Sequence, residues 1–206
     1  MNRTATMIGL IILVVLFTVP ATPGAASAPV DRAAFHDDMR KLWEDHVTWT
    51  RLYIVNALAG LPGKDATAQR LLRNQTDIGN AVGQFYGAAA GEKLTVLLKD
   101  HILTAAALID AAKAGDTAKK EEASKHWYVN ADEITTFLSG ANPKNWPLTE
   151  MKSMMRAHLD LTTVEVVAGL KHDWTADIAA YDDVHGQILK MADMLGYTVA
   201  EMLGRH

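Results

Sequence analysis

The chain has 206 residues, a formal net charge of −4 and no cysteine. Without cysteine there is no disulfide framework, thiolate metal site, cysteine nucleophile, iron–sulfur cluster or covalently attached c-type haem. Twenty Lys and Arg against 24 Asp and Glu leave no basic footprint for nucleic acid.

The N-terminus has the order of a secretory signal peptide. Arg3 gives a positive start, Met7 to Val19 is an apolar run, and Pro20, Pro23 and Gly24 break it. Small residues follow, so cleavage is expected after Ala26 or Ala28. The run is shorter than the ~20 residues a membrane-spanning helix needs. We therefore expect residues 1–28 to be a signal peptide. The mature protein, 29–206, is expected to be one exported domain, periplasmic or extracellular, with no stable membrane span.

Six helical segments follow. The first, from about Asp31 to Gly60, carries the 3-4 spaced stripe Trp43, Val47, Thr50, Ile54, Ala57 and Leu61, with His46 and Tyr53 beside it. Leu61-Pro62-Gly63 ends it. The second runs from Asp65, the expected N-cap, to Tyr86. Its stripe is Leu71, Gln75, Ile78, Val82 and Phe85, flanked by Asn74 and Asp77. Gly79, Gly83 and Gly87 weaken this helix, and suit a close approach by a neighbour or a ligand.

The third segment, Gly91 to Ala114, turns Leu94, Leu98, His101, Ala105, Leu108 and Ala112 inward. Gly115 stops it, and Asp116 or Thr117 caps the fourth, which turns Ala123, Trp127, Asn130, Ile134 and Phe137 inward. GANPKNWP, 140–147, is a loop. The fifth segment has the seam Met151, Met155, His158, Thr162, Glu165 and Gly169. The sixth reads Trp174, Ile178, Tyr181, His185, Ile188, Ala192, Leu195, Val199 and Met202, in alternating 4-3 spacing. No stretch alternates with the period of a strand. The pattern predicts an all-α, up-down antiparallel bundle of about six helices.

Four histidines, His46, His101, His158 and His185, lie on or beside the apolar stripes of four different helices. Each stands about ten or eleven residues from its helix start, roughly 15 Å along the axis. An up-down bundle is then expected to gather them in one layer. Asp77, Glu165 and Asp177 lie where they can join it. Imidazole with carboxylate suits Zn, Fe or Mn, and the methionines near His158 and His185 extend the choice to Cu. Non-covalent haem needs only one or two axial ligands. The alternatives are a ligand-free structural or interaction bundle, whose histidines satisfy core hydrogen bonds, and an enzyme using the same interior on a small substrate. The di-iron Glu-x-x-His pairs, the P-loop, G-x-G-x-x-G, G-x-S-x-G and H-E-x-x-H are all missing.

The strings LWEDHVTWTR, RLLRNQTDIG, FYG, HWYVNADEI and HLDLTTVE span most of the mature chain. Together they resemble a family of small bacterial helical proteins with a LWEDHVTWTR and NADEI-type signature. Its members often carry generic glycosyltransferase-type or kinase-type names. The resemblance implies an intact single-domain helical protein. No nucleotide or sugar-nucleotide motif accompanies it here, and it transfers no catalytic residue.

Overall fold

The computed structural model of the chain describes residues 32–202 and, within them, the side chains of 34–196. The expected signal peptide lies outside these residues. Six helices make up the described chain: α1 (Arg32–Ala59), α2 (Lys64–Tyr86), α3 (Ala88–Ala114), α4 (Thr117–Ala141), α5 (Leu148–Leu170) and α6 (Trp174–Met202). Connections of a few residues make each helix reverse onto its predecessor, and α6 returns along α1 to close the ring. The seam between α4 and α5, joined by the longest loop, is the thinnest of the ring. Contacts of α1 with α3 and with α5 cross the interior. Among the described residues no helix is long and apolar enough to cross a membrane.

Local chemistry sets the ends. Gly115 takes a left-handed φ of 71° after α3, and its amide returns to the carbonyls of Ala111 and Ala112. The Asp116 carboxylate then accepts from the Lys119 amide at 3.1 Å, capping α4. Asp65 is not the N-cap of α2. The helix starts one residue earlier, after Gly63, which leaves Asp65 in the first turn beside the positive end of the helix dipole.

The glycines of α2 permit the close approach that their spacing suggests. A Cβ on Gly91 of α3 would stand 2.6 Å from the Gly79 carbonyl oxygen and 2.9 Å from the Gly83 Cα. Only glycine lets the two backbones meet there.

Two apolar clusters fill the bundle. The larger runs from Phe35 and Trp43 through Ile78, Leu98 and Ile134 to Leu159 and Ile188. The smaller joins Tyr53, Ile54, Leu71, Ile102, Ile109 and Val166. Along α1 the border falls between Val47 and Tyr53, along α3 between Leu98 and Ile102, and along α5 between Leu159 and Val166. His101 and Thr162, one turn after His158, fall within two of those borders, and His46 stands one residue before the third.

The expected face of α6 needs a correction over its first three turns. Trp174 and Ile178 are 59% and 57% exposed, whereas Asp177, Ala180 and Val184 are buried. The helix is turned by about one residue, roughly 100°, relative to the apolar reading. The cause is a cation on α1 that draws Asp177 inside. From Ile188 through Ala192 to Leu195 the expected positions are buried.

Candidate functional site

Three of the expected layer residues share a small cavity. His46 of α1, His101 of α3 and His158 of α5 all line a space of about 30 Å³, together with Thr50, Tyr53, Trp127, Thr162 and apolar side chains. The ring centroids of His46 and His158 are 5.8 Å apart. All three histidines are buried, at 3%, 4% and 4% exposure.

Each ring has its own set of bonds. The Trp127 indole N–H donates to His101 Nε2 at 3.0 Å. Since an indole nitrogen can only donate, Nε2 is unprotonated and the proton sits on Nδ1. That Nδ1–H donates to Asn130 Oδ1 at 2.9 Å. The Asn130 amide in turn donates to the Leu97 carbonyl and to Asp100, at 3.1 and 3.0 Å. Both ring nitrogens of His101 are thus committed to protein partners. His46 Nδ1 accepts from Gln75 Nε2 at 3.2 Å. His158 Nδ1 is also buried, with the Gln187 side chain of α6 as the neighbour that hydrogen-bonds its ring. The two threonines of the repeated His-x-x-x-Thr pattern do not serve the imidazoles. Thr50 and Thr162 each donate to the backbone carbonyl of the histidine four residues earlier, at 2.8 Å.

The layer is electrically neutral. Burial lowers the pKa of His158 to about 4. Burial, reinforced by the neighbouring His158, lowers that of His101 to about 3. His46 is held well below the usual histidine range by burial, then by His158 and His101. No carboxylate lines their cavity to stabilise a proton on any one of them.

The remaining expected ligands stand elsewhere. Glu165 and Asp177 come together around a residue the sequence did not single out, Arg51 of α1. Its guanidinium donates to both oxygens of Asp177, one of these contacts at 2.6 Å, and to Glu165 Oε1 at 2.9 Å. It also lies over the Tyr181 ring, 5.5 Å from the centroid. Glu165 is 1% exposed, and burial raises its pKa to about 7 against the pull of Arg51. His185 is not in the layer. The turn of α6 leaves it at the bundle's flank, with Nε2 3.5 Å from Glu44 Oε1. Asp77 is half-buried on α2 and does not line the histidine cavity. Among the described residues no three His, Asp or Glu side chains are grouped as a ligand set for a metal ion. The four-histidine layer of the sequence reading is therefore a layer of three, with its carboxylates taken by an arginine.

A larger cavity opens beside this layer. Between α3, α4 and α5 lies a groove of about 490 Å³. Leu108, Ile109, Val166, Val167 and Leu170 form its walls, and Lys120, Glu121 and Lys125 stand at its rim. Four of its residues, Ala105, Ile109, Trp127 and Thr162, also line the histidine cavity. The floor of the groove is thus the wall of the histidine cavity. Above it the Tyr128 hydroxyl donates to Asp160, tying α4 to α5. No histidine or methionine lines the groove. The sequence held no signal for the groove beyond the half-polar start of α4, whose KKEE run leaves few side chains to close against α5.

No family model, curated protein or solved structure matches the chain.

Proposed function

We propose that the mature chain is an exported binding protein that takes one small, mainly apolar molecule into the groove between α3, α4 and α5. The observation that carries this reading is the floor shared by the groove and the histidine cavity. A volume of about 490 Å³ lies in the range of small-molecule sites, which run from about 300 to 1,000 Å³. Such sites combine apolar walls with a few convergent polar groups, and here the polar groups stand at the floor. The bonds that commit both nitrogens of His101 favour this role over a shared metal ion.

The test is a titration with N-phenyl-1-naphthylamine, an uncharged fluorophore that brightens in apolar surroundings. Saturable binding near one molecule per chain is expected. Ala112→Trp and Ser124→Trp, each placing an indole in the groove, are expected to weaken it more than tenfold while leaving the far-UV circular dichroism unchanged. Linear, unsaturable enhancement, or binding indifferent to both substitutions, would exclude the groove as the site.

A further inference from the structure

The groove has an uncharged end and a charged end. Its walls run from Ala105 to Ala112 on α3, from Thr162 to Leu170 on α5, and back from Tyr128 to Lys120 on α4. Since α3 ends, α4 begins and α5 ends at one end of the bundle, Ala112, Lys120 and Leu170 mark the mouth. Ala105, Trp127 and Thr162 mark the inner end, about 12 Å away at 1.5 Å per helical residue. No lysine or arginine lines the histidine cavity that the inner end adjoins. A charged group seated there would leave water with no opposite charge to meet it. Toward the mouth stand two exposed lysines, Lys120 and Lys125, and a single acid, Glu121. Among the described residues neither lysine has an ion-pair partner, whereas the neighbouring Lys119 is held by Asp116 at 3.1 Å. Between the two ends the walls are apolar, and Val167 is 39% exposed for want of a covering.

We infer that the bound molecule is a single-chain amphiphile with an anionic head, a medium-chain carboxylate being the simplest case. Its tail lies along Leu108, Ile109, Val166 and Val167, and its head stays in water at the mouth beside Lys120 and Lys125. This rests on the groove being the binding site. An extended chain advances about 1.2 Å per bond, so a tail of about ten carbons spans the distance from Thr162 to Leu170. Lysine lays its methylene stem along apolar surface while its ammonium stays hydrated. Lys120 and Lys125 can therefore cover the outer part of the tail and pair with the head. A cationic head would meet two like charges for one acid. A neutral head would gain no ion pair, and its affinity would rest on the tail alone.

The experiment compares three probes with one tail: decanoate, 1-decanol and decyltrimethylammonium. Each is kept below its micelle-forming concentration and titrated by displacement of N-phenyl-1-naphthylamine at pH 7.5. On the wild-type protein, raising the salt from about 20 to about 500 mM is expected to weaken decanoate several-fold and to leave 1-decanol within about twofold, since salt screens exposed charges. Replacing both lysines, Lys120→Met with Lys125→Met, is expected to weaken decanoate about five- to tenfold, the worth of two exposed ion pairs. The same change is expected to leave 1-decanol within about twofold, because methionine keeps an apolar stem. Glu121→Gln is expected to tighten decanoate about two- to threefold by removing a like charge. Decanoate binding that ignores both salt and the lysine pair would refute the anionic head and leave the groove standing. So would failure of decanoate to displace a fluorophore that itself binds saturably. Decyltrimethylammonium bound more tightly than decanoate, and weakened by Glu121→Gln, would also refute it and assign the polar end to Glu121. Failure of the fluorophore to bind would instead remove the groove reading itself. The salt comparison on the wild-type protein decides the matter even if a variant does not fold.

Discussion

Three neutral imidazoles inside the bundle make it sensitive to acid, and the size of the effect can be worked out. An unfolded histidine takes up a proton as the pH falls through about 6.5. In the folded chain His158 resists until about pH 4 and His101 until about pH 3, and His46 is held well below its usual range. The residues lining their cavity supply no carboxylate to stabilise a proton. Between pH 6.5 and 4.5 the unfolded state therefore binds up to three protons that the fold refuses. Stability rises with pH wherever the unfolded state binds more protons, at about 1.4 kcal/mol per proton per pH unit. Three histidines over two pH units would cost about 8 kcal/mol. Glu165 works in the opposite sense. Its carboxyl is raised to about 7 in the fold, so the folded state holds a proton that the unfolded state loses above about 4.5. Lowering the pH thus returns roughly 2 to 3 kcal/mol, and the net loss is about 5 kcal/mol. Domains of this kind hold about 5 to 15 kcal/mol in total. Urea unfolding followed at 222 nm is expected to show the free energy falling by about 2 to 3 kcal/mol per pH unit below pH 6.5. His158→Gln should reduce that slope by about one proton's worth. A free energy that stays flat from pH 6.5 to 4.5 would refute the neutral, enclosed layer.

Three further outcomes follow from the packing. Arg51→Met should destabilise by about 3 to 5 kcal/mol in urea unfolding at pH 7.5, because it strands two buried carboxylates. Glu165→Gln should steepen the fall in stability between pH 6.5 and 4.5 by about 1 kcal/mol per pH unit, since the group whose protonation offsets the histidines is gone; a slope equal to that of the wild type would count against the assignment. Gly91→Ala should lower the thermal midpoint by several degrees, as its Cβ meets the Gly79 carbonyl at 2.6 Å and two backbones must part.

Much of the architecture is legible because helices announce themselves by period. The stripe of α5, from Met151 to Gly169, is buried at every expected position. So are the central positions of α1, α2 and α4, from Trp43 to Ala57 apart from half-buried Thr50, from Leu71 to Val82, and from Trp127 to Ile134. The glycines of α2 and the stop at Gly115 could be read because their backbone roles leave few alternatives. What misled was α6. Trp174 and Ile178 make a better apolar stripe than Asp177 and Ala180, so a hydrophobic count turns the helix the wrong way. The deciding force is electrostatic and lies 126 residues away in sequence, at Arg51. No window of α6 contains it.

The site divides along the same line. Periodicity says that a side chain points inward, but not which inward-pointing neighbours it will meet. His46, His101 and His158 meet because they lie on α1, α3 and α5, whose contacts cross the ring; His185 lies on α6 and turns toward the flank with it. Helix order around the ring is a tertiary fact that four similar stripes cannot encode. The partners of the imidazoles were in view as residues, since Gln75 and Asn130 sit on polar-interrupted stripes, yet their geometry was not. An asparagine one stripe away can be a ligand, a spacer or a clamp. Here Asn130, with the Trp127 indole, clamps both nitrogens of His101. The groove was hardest to foresee, because a cavity is a place where side chains fail to meet. It forms where α4 begins with short and charged residues against an apolar face of α5, leaving Val167 and Leu170 without a full covering. A sequence records what each helix carries. The gap arises from what two helices, 117–141 and 148–170, do not carry toward each other.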